Sequence, residues 1–250
     1  MNEKPCRREV CEFTTEVFGE AGEPVLRCMY PEAEWERTNV DQILECAPFP
    51  MLAVHCGFLV DVRLSQSKSS KITFRLHGTY NRPVGAEDLY IALQVSHDTH
   101  WPNNLILQRP GYLCEAFNAN GLTLEIGLPK DFCFTSLAIN ARSILSPILI
   151  SASKRLRLNA SEDIEAKLCS PRILATAEKG ICLSCTAPGE TTLADISSNG
   201  YIGLTLSGYD AYDLVCPAPD RFAKHQYRLS LNPTVFRGKV LSTIYDAVIV

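Results

Sequence analysis

From Met51 onward the chain alternates apolar and polar residues in short runs. In Lys71-Ile-Thr-Phe-Arg-Leu-His, residues Ile72, Phe74 and Leu76 share one face while Thr73, Arg75 and His77 share the other. That two-residue period is the signature of a half-buried β-strand. Met51 to Leu64 reads as one long strand, followed by a polar turn over Ser65 to Ser70. Further strands are predicted at Leu89–Val95, Leu105–Gln108, Leu122–Ile126, Ser136–Asn140, Ile148–Ser151, Arg155–Leu158, Ile181–Cys185, Tyr201–Leu206 and Arg228–Leu231. Clusters of Gly, Pro, Asn and Asp separate them, often at intervals of about ten residues, the rhythm of an all-β sandwich or barrel. Helix is a minority. One short helix is predicted within Glu32 to Cys46, where Trp35, Val40, Ile43 and Leu44 stand at roughly helical offsets. Ser151 to Ser170 is polar and reads as a loop or hairpin excursion.

Composition supports a packed core. Of 250 residues, 46% are hydrophobic and 21% charged, which excludes a disordered or fibrous chain. A net charge of −4 gives no global attraction to nucleic acid or to an anionic membrane. No apolar run approaches the roughly 18 residues of a membrane span, and the longest, Ile144 to Ile150, is interrupted by Pro147. The 11 cysteines follow a charged start, Met1-Asn-Glu-Lys-Pro-Cys-Arg-Arg, with no apolar leader segment. Reduced thiols in the cytoplasm or nucleus, and no secretion, are therefore expected.

Short motifs add little chemistry. Cys182-Leu-Ser-Cys185 has zinc-knuckle spacing but no second ligand pair follows, and in a strand the two thiols would point to opposite sides. His97-Asp-Thr-His100 lacks further nearby ligands and runs into Trp101-Pro102, as a loop would. Lys154-Arg-Leu-Arg157 is a small basic patch. Asn159-Ala-Ser161 is a glycosylation sequon, which has no meaning without secretion. Neither a nucleophile elbow nor a phosphate-binding glycine loop is present.

Four segments of the second half stand in the order and spacing of the motifs of trimeric-type dUTPases. Gly121-Leu-Thr-Leu-Glu-Ile-Gly-Leu-Pro-Lys-Asp131 resembles the Gly-Tyr-Asp-Leu strand and the Leu-Pro-Lys-Asp turn of herpesvirus members. Pro171-Arg-Ile-Leu-Ala-Thr-Ala-Glu-Lys-Gly-Ile181 resembles Pro-Arg-Ser-Gly-Leu-Ala with its Gly-Ile pair. Gly200-Tyr-Ile-Gly-Leu-Thr-Leu206 resembles the Asp-x-Gly-Tyr-Arg-Gly-x-Leu hairpin, and Pro219-Asp-Arg-Phe-Ala-Lys-His-Gln226 resembles Gly-Asp-Arg-Ile-Ala-Gln. In the first half, Leu76-His-Gly-Thr-Tyr-Asn-Arg-Pro83 resembles part of the first lobe of double-length herpesvirus dUTPases. The resemblance implies a mainly β monomer of two dUTPase-like barrel or sandwich lobes in tandem, divided near Asn104 to Leu113. Residues 1–47 would be a polar N-terminal segment, 48–110 a degenerate first lobe and 111–250 a second lobe.

The same resemblance implies lost catalysis. Such an enzyme needs an Asp to activate water and carboxylates to organise Mg²⁺ on the triphosphate. Ser198 stands where the base is expected, and Thr123 replaces the Asp of the first motif. Arg172 is followed directly by Ile173, without the Ser-Gly that cradles phosphate, and no Gly-rich arm closes the chain. Gly121, Thr123, Arg172, Ser198, Gly200, Tyr201, Asp220 and Arg221 would then be remnants of a nucleotide site, with no cofactor. The implied role is a viral accessory protein that binds host proteins, in immune modulation or nuclear trafficking. Lys154, Arg155 and Arg157 are its expected contact, and the apolar tail from Val240 to Val250 is expected to add a strand. An active dUTP diphosphatase using Mg²⁺, or a tegument structural protein, are the alternatives.

Overall fold

A computed structural model describes residues 34–56, 60–85, 90–96, 103–108, 121–215, 225–233 and 240–246. Seventeen strands are present: β1 (Trp35–Cys46), β2 (Met51–His55), β3 (Val60–Gln66), β4 (Ile72–Pro83), β5 (Ala92–Ser96), β6 (Asn104–Gln108), β7 (Leu122–Leu128), β8 (Cys133–Ala141) and β9 (Ile144–Ala160), then β10 (Asp163–Cys169), β11 (Arg172–Ala177), β12 (Gly180–Thr186), β13 (Thr192–Ser198), β14 (Tyr201–Ser207), β15 (Tyr209–Val215), β16 (His225–Pro233) and β17 (Val240–Asp246). No helix occurs among the described residues, so none there is long and apolar enough to cross a membrane.

The strands form one wrapped, nearly closed sheet with two faces. Face A runs β1–β4–β7–β3–β9–β10–β12–β14–β17. Face B runs β5–β6–β2–β8–β9–β11–β13–β16–β15. Strand β9 is long enough to belong to both. From β9 to β14 the chain coils: each strand lies parallel on the strand one circuit earlier, with Ile164 beside Ile181 and Ile181 beside Ile202, steps of 17 and 21 residues. The ten-residue rhythm of the sequence is thus half a circuit. Antiparallel strands close both ends of the stack.

In-register columns of apolar side chains fill the space between the faces. Leu76, Leu124, Val62, Ile144, Ile164, Ile181 and Ile202 form one such column across seven strands, and each is at most 1% exposed. Leu52, Leu137, Leu156 and Ile173 form its counterpart under face B. Stacked burial of this kind, rather than hydrogen bonding alone, drives the coil to close.

The coil has one tight and one wide corner. At the tight corner only two residues separate a face B strand from the next face A strand, at Arg142-Ser143, Ser161-Glu162, Glu178-Lys179 and Asn199-Gly200. Small residues must occupy the inner side of so sharp a bend, and Ala141, Ala160, Ala177 and Ser198 stack there in register. A Cβ on Gly200 would lie 1.4 Å from the Lys179 carbonyl oxygen, so only glycine fits. At the wide corner a buried polar chain replaces apolar packing. The Tyr209 hydroxyl donates to Thr192 Oγ1 (3.0 Å), which donates to the Ser170 carbonyl (3.1 Å). Burial pushes the Tyr209 phenol up, against the Thr192 contact that lowers it.

Several expectations need correction. Glu32 to Cys46 contributes a strand where a helix was expected. Val40, Gln42, Leu44 and Cys46 turn inward while Arg37, Asn39, Asp41, Ile43 and Glu45 are exposed. Twelve residues of ladder with β4 outweigh the weak helical offsets. The Gln42 amide also covers the edge of β5, donating to the Ile91 carbonyl (3.3 Å) and accepting from the Leu93 amide (2.9 Å). Ser151 to Ser170 is no loop either, being the second half of β9 and all of β10. Pro147, read as a break, sits in a bulge where the β9–β10 register slips between Ala166 and Lys167, and a bulge is where a strand accommodates proline. The tail does add a strand, β17, antiparallel to β14. The two tandem lobes do not separate among the described residues: β2 and β3, from the expected first lobe, each pair in parallel with strands of the expected second.

Candidate functional site

Strand β9 turns from face A to face B at Ser153-Lys154. Alternation breaks there, because the β8–β9 register shifts between Phe134 and Ser136, and Ser153, Lys154 and Arg155 are all exposed in succession. Beyond the bend the period resumes, with Leu156 and Leu158 inward and Arg157 outward. Arg172, at the start of β11, lies alongside Arg155, one step before the Ile173–Leu156 pair. Four cationic side chains therefore come from two adjacent strands.

A trough lies beside them because the neighbouring outward positions are small. Ser136 pairs with Arg155 and Ala138 with Arg157, while Ala53 pairs with Ala138 on the far side. Short side chains next to long ones leave two hollows. One of about 590 Å³ is lined by Met51, Ser136, Lys154, Arg155, Arg172 and Leu193, among others. The other, about 210 Å³, lies over Ala53 and Ala138 between Arg155, Arg157, His55, Asn140 and Asn159. The Oδ1 atom of Asn140 is shut off from solvent and accepts no hydrogen bond, a state that costs about 1–3 kcal/mol when nothing fills it.

A larger cavity of about 730 Å³ occupies the wide corner, with Phe132, Ile148, Leu149 and Pro171 in its walls and the thiols of Cys133 and Cys169 at its surface. Both cysteines pair with Ser151, from opposite sides, which places their backbones two strand spacings (about 9–10 Å) apart, too far for a disulfide. Burial holds the Cys169 thiol above its ordinary range, so it is a poor nucleophile. All six described cysteines are free thiols. Cys182 is exposed and Cys185 buried, on opposite sides of β12 as the strand spacing requires. No group of three metal-ligating side chains gathers among the described residues.

The residues expected to mark a nucleotide site are dispersed. Gly121 is in the turn before β7, and Thr123 lies on face A in register with Asp61 and His77. Arg172 is on face B. Ser198, Gly200 and Tyr201 do meet at the tight corner, five strands along face A from Thr123. Ser198 is 1% exposed, stands in the column of small residues and accepts a hydrogen bond from the Gly200 amide (3.1 Å). Its place is set by packing. Tyr201 is half exposed, its ring lying against Gly180, and burial followed by the Asp163 carboxylate raises its phenol. A Mg²⁺–triphosphate does not fit a corner whose central hydroxyl is buried and engaged. Asp220, Arg221, His97 and His100 lie outside the described residues.

Glu162, Asp163 and Glu165, expected to share a loop with the basic triplet, are on the tight corner and face A instead, and Glu162 pairs with Lys179 (3.0 Å). Sequence reading missed Ala53, Ser136, Ala138, Asn140 and Asn159. A faint signal exists in Leu137-Ala-Ile-Asn140, where small and amide residues take the outward positions of an alternating strand.

No protein-family model matches the chain, and no curated protein does. Among solved structures, a "putative cell adhesion protein" from Clostridium sporogenes superposes with a TM-score of 0.35 at 11% identity, over 77% of this chain and 87% of that one. A "putative adhesin" from Bacteroides fragilis gives 0.31 at 12% identity, over 65% and 81%. Another, from Parabacteroides merdae, gives 0.28 at 13%, over 60% and 63%. Scores this low show neither a shared fold nor a shared function.

Proposed function

We propose that the protein works by binding a partner protein, through an acidic surface of that partner, and does not hydrolyse dUTP. The observation that carries the reading is the gathering of cations beside two neighbouring hollows of face B, Lys154, Arg155 and Arg172 at one and Arg155 and Arg157 at the other. Like charges side by side on neighbouring strands are unfavourable in isolation, and an anionic surface relieves the repulsion. The resemblance to herpesvirus dUTPase-related accessory proteins agrees in kind, since it too makes the chain a binder of host proteins. The buried, packed Ser198 supports the absence of catalysis.

Replacing Lys154, Arg155 and Arg157 together with Ala is expected to reduce partner recovery from cell lysate while the melting temperature stays nearly constant. Recovery by the native chain should also weaken as salt rises, because contacts between exposed charges are screened beyond about 8 Å at physiological ionic strength. Recovery that ignores both the substitution and salt rejects the trough as the interface. Pyrophosphate release from dUTP with Mg²⁺ is expected to be absent, and turnover near the ~1–10³ s⁻¹ of ordinary enzymes would reject the non-catalytic reading.

A further inference from the structure

The smaller hollow on face B has a chemistry of its own. Its floor is Ala53 and Ala138, two flat apolar side chains on adjacent strands. One wall is the row His55–Asn140–Asn159, in register across β2, β8 and β9. The opposite side is formed by Arg155 and Arg157. The volume of about 210 Å³ holds several waters at about 30 Å³ each, or one small molecule in their place. A peptide of several residues does not fit within it.

We propose that this hollow binds a small hydroxylated carboxylate, of the size and chemistry of a sugar acid. Arg157 is exposed, and its planar fork matches a carboxylate through two parallel charge-assisted hydrogen bonds. Asn140 presents the complementary need. Its Oδ1 is an acceptor closed off from solvent with no donor, and buried polar atoms in folded proteins nearly always have one. The terminal amide torsion of Asn is broad, so rotation about it can bring that oxygen to the hollow that Asn140 lines, where a ligand hydroxyl donates to it. Asn159, the next residue in the row, offers a second amide for a further hydroxyl. The partly exposed Ala138 offers an apolar spot for the C–H face of a sugar ring. A ligand that carries both a carboxylate and hydroxyls engages Arg157 and Asn140 together, whereas acetate or a neutral sugar engages only one of them.

The assignment stands on the hollow itself and does not depend on a protein partner, although it shares Arg155 and Arg157 with that reading. Calorimetric titration of the full chain with D-glucuronate, D-glucose and acetate tests it. Glucuronate is expected to bind at least about tenfold more tightly than either control, the factor that one well-formed interaction of about 1.4 kcal/mol supplies. Arg157→Gln should lower glucuronate affinity about tenfold with an unchanged melting temperature, and Asn140→Ala should remove the preference over acetate. If Asn140→Ala does not fold, Arg157→Gln and the three probes on the native chain still decide. No binding of glucuronate, equal binding of acetate, or an indifferent Arg157→Gln overturns the proposal. Salt-sensitive partner capture without glucuronate binding would leave the protein-binding reading intact and remove this one. Glucuronate binding with capture unaffected by the triple substitution would do the reverse.

Discussion

On face A, outward charges meet opposite charges on the neighbouring strand. Arg75 holds Asp41 through two bonds of 2.9 and 3.0 Å, and Lys71 reaches Glu45 at 3.3 Å. Arg142 grips Asp61 with both arms at the tight corner. The Arg75 guanidinium holds the Asp41 carboxyl below its ordinary range. Face B is composed differently. The register neighbours of Arg157 are Ala138 and Leu174, and that of Arg155 on β8 is Ser136. Towards the far end of face B, Arg228 meets Asp195 at 3.0 Å. Both faces cover the same core with the same strand geometry, so the difference is not demanded by folding. Charges paired within the molecule stabilise it, whereas like charges gathered beside a hollow suit the binding role proposed above.

The sharpest way to break this comparison uses three consecutive residues. Leu156→Ala empties a site that is 1% exposed and should cost about 2–5 kcal/mol, read from denaturant unfolding. Its neighbours Arg155→Ala and Arg157→Ala should each stay within about 0.5 kcal/mol. A loss at Arg157 comparable to that at Leu156 would make face B structural and remove its claim to binding. On face A, Arg142→Ala strands the Asp61 carboxylate. The side chains are 15% and 26% exposed, so about 1–2 kcal/mol is expected, less than a fully buried charge would cost. A neutral result there would mean that the pairing on face A is as dispensable as the cations of face B.

The interior beneath both faces should respond to pH where the faces do not. Burial pushes the Cys185 thiol up to about 12, from an ordinary value near 9. Because the folded state keeps a proton that the unfolded chain releases, this contribution is complete below about pH 9 and declines as pH rises towards 12. The slope is at most about 1.4 kcal/mol per pH unit for one group. Tyr209, also raised by burial, acts in the same direction. Unfolding of the native chain and of Cys185→Val, followed from pH 8 upwards, should show a shallower decline in the variant. Parallel curves would show that the thiol does not sense the interior.

Much of the strand content was open to sequence reading, because alternation states which side of a strand is buried. Ile72, Phe74 and Leu76 were placed inward from their spacing and are all fully buried. Strands β10, β11 and β13 escaped for the opposite reason. Their outward residues Glu165, Lys167, Thr176 and Asp195 make the segments look like solvated loops. At β1, mildly helical offsets were overridden by a twelve-residue partner far away in sequence. The basic triplet was visible as a charge run, but Arg172 joins it only through the β9–β11 register.

The sequence by itself determined that the chain is mainly β, that Cys182 and Cys185 part to opposite sides of a strand, and that turns recur about every ten residues. Tertiary structure alone decided that those half-circuits coil and stack in parallel. Backbone hydrogen bonds are the same for any partner strand, so alternation fixes the buried side of each strand without naming the strand beside it. The hollow over Ala53 and Ala138 arises from that pairing. Two alanines 85 residues apart become neighbours only when β2 docks on β8, and only then do Arg157 and Asn140 stand at its rim.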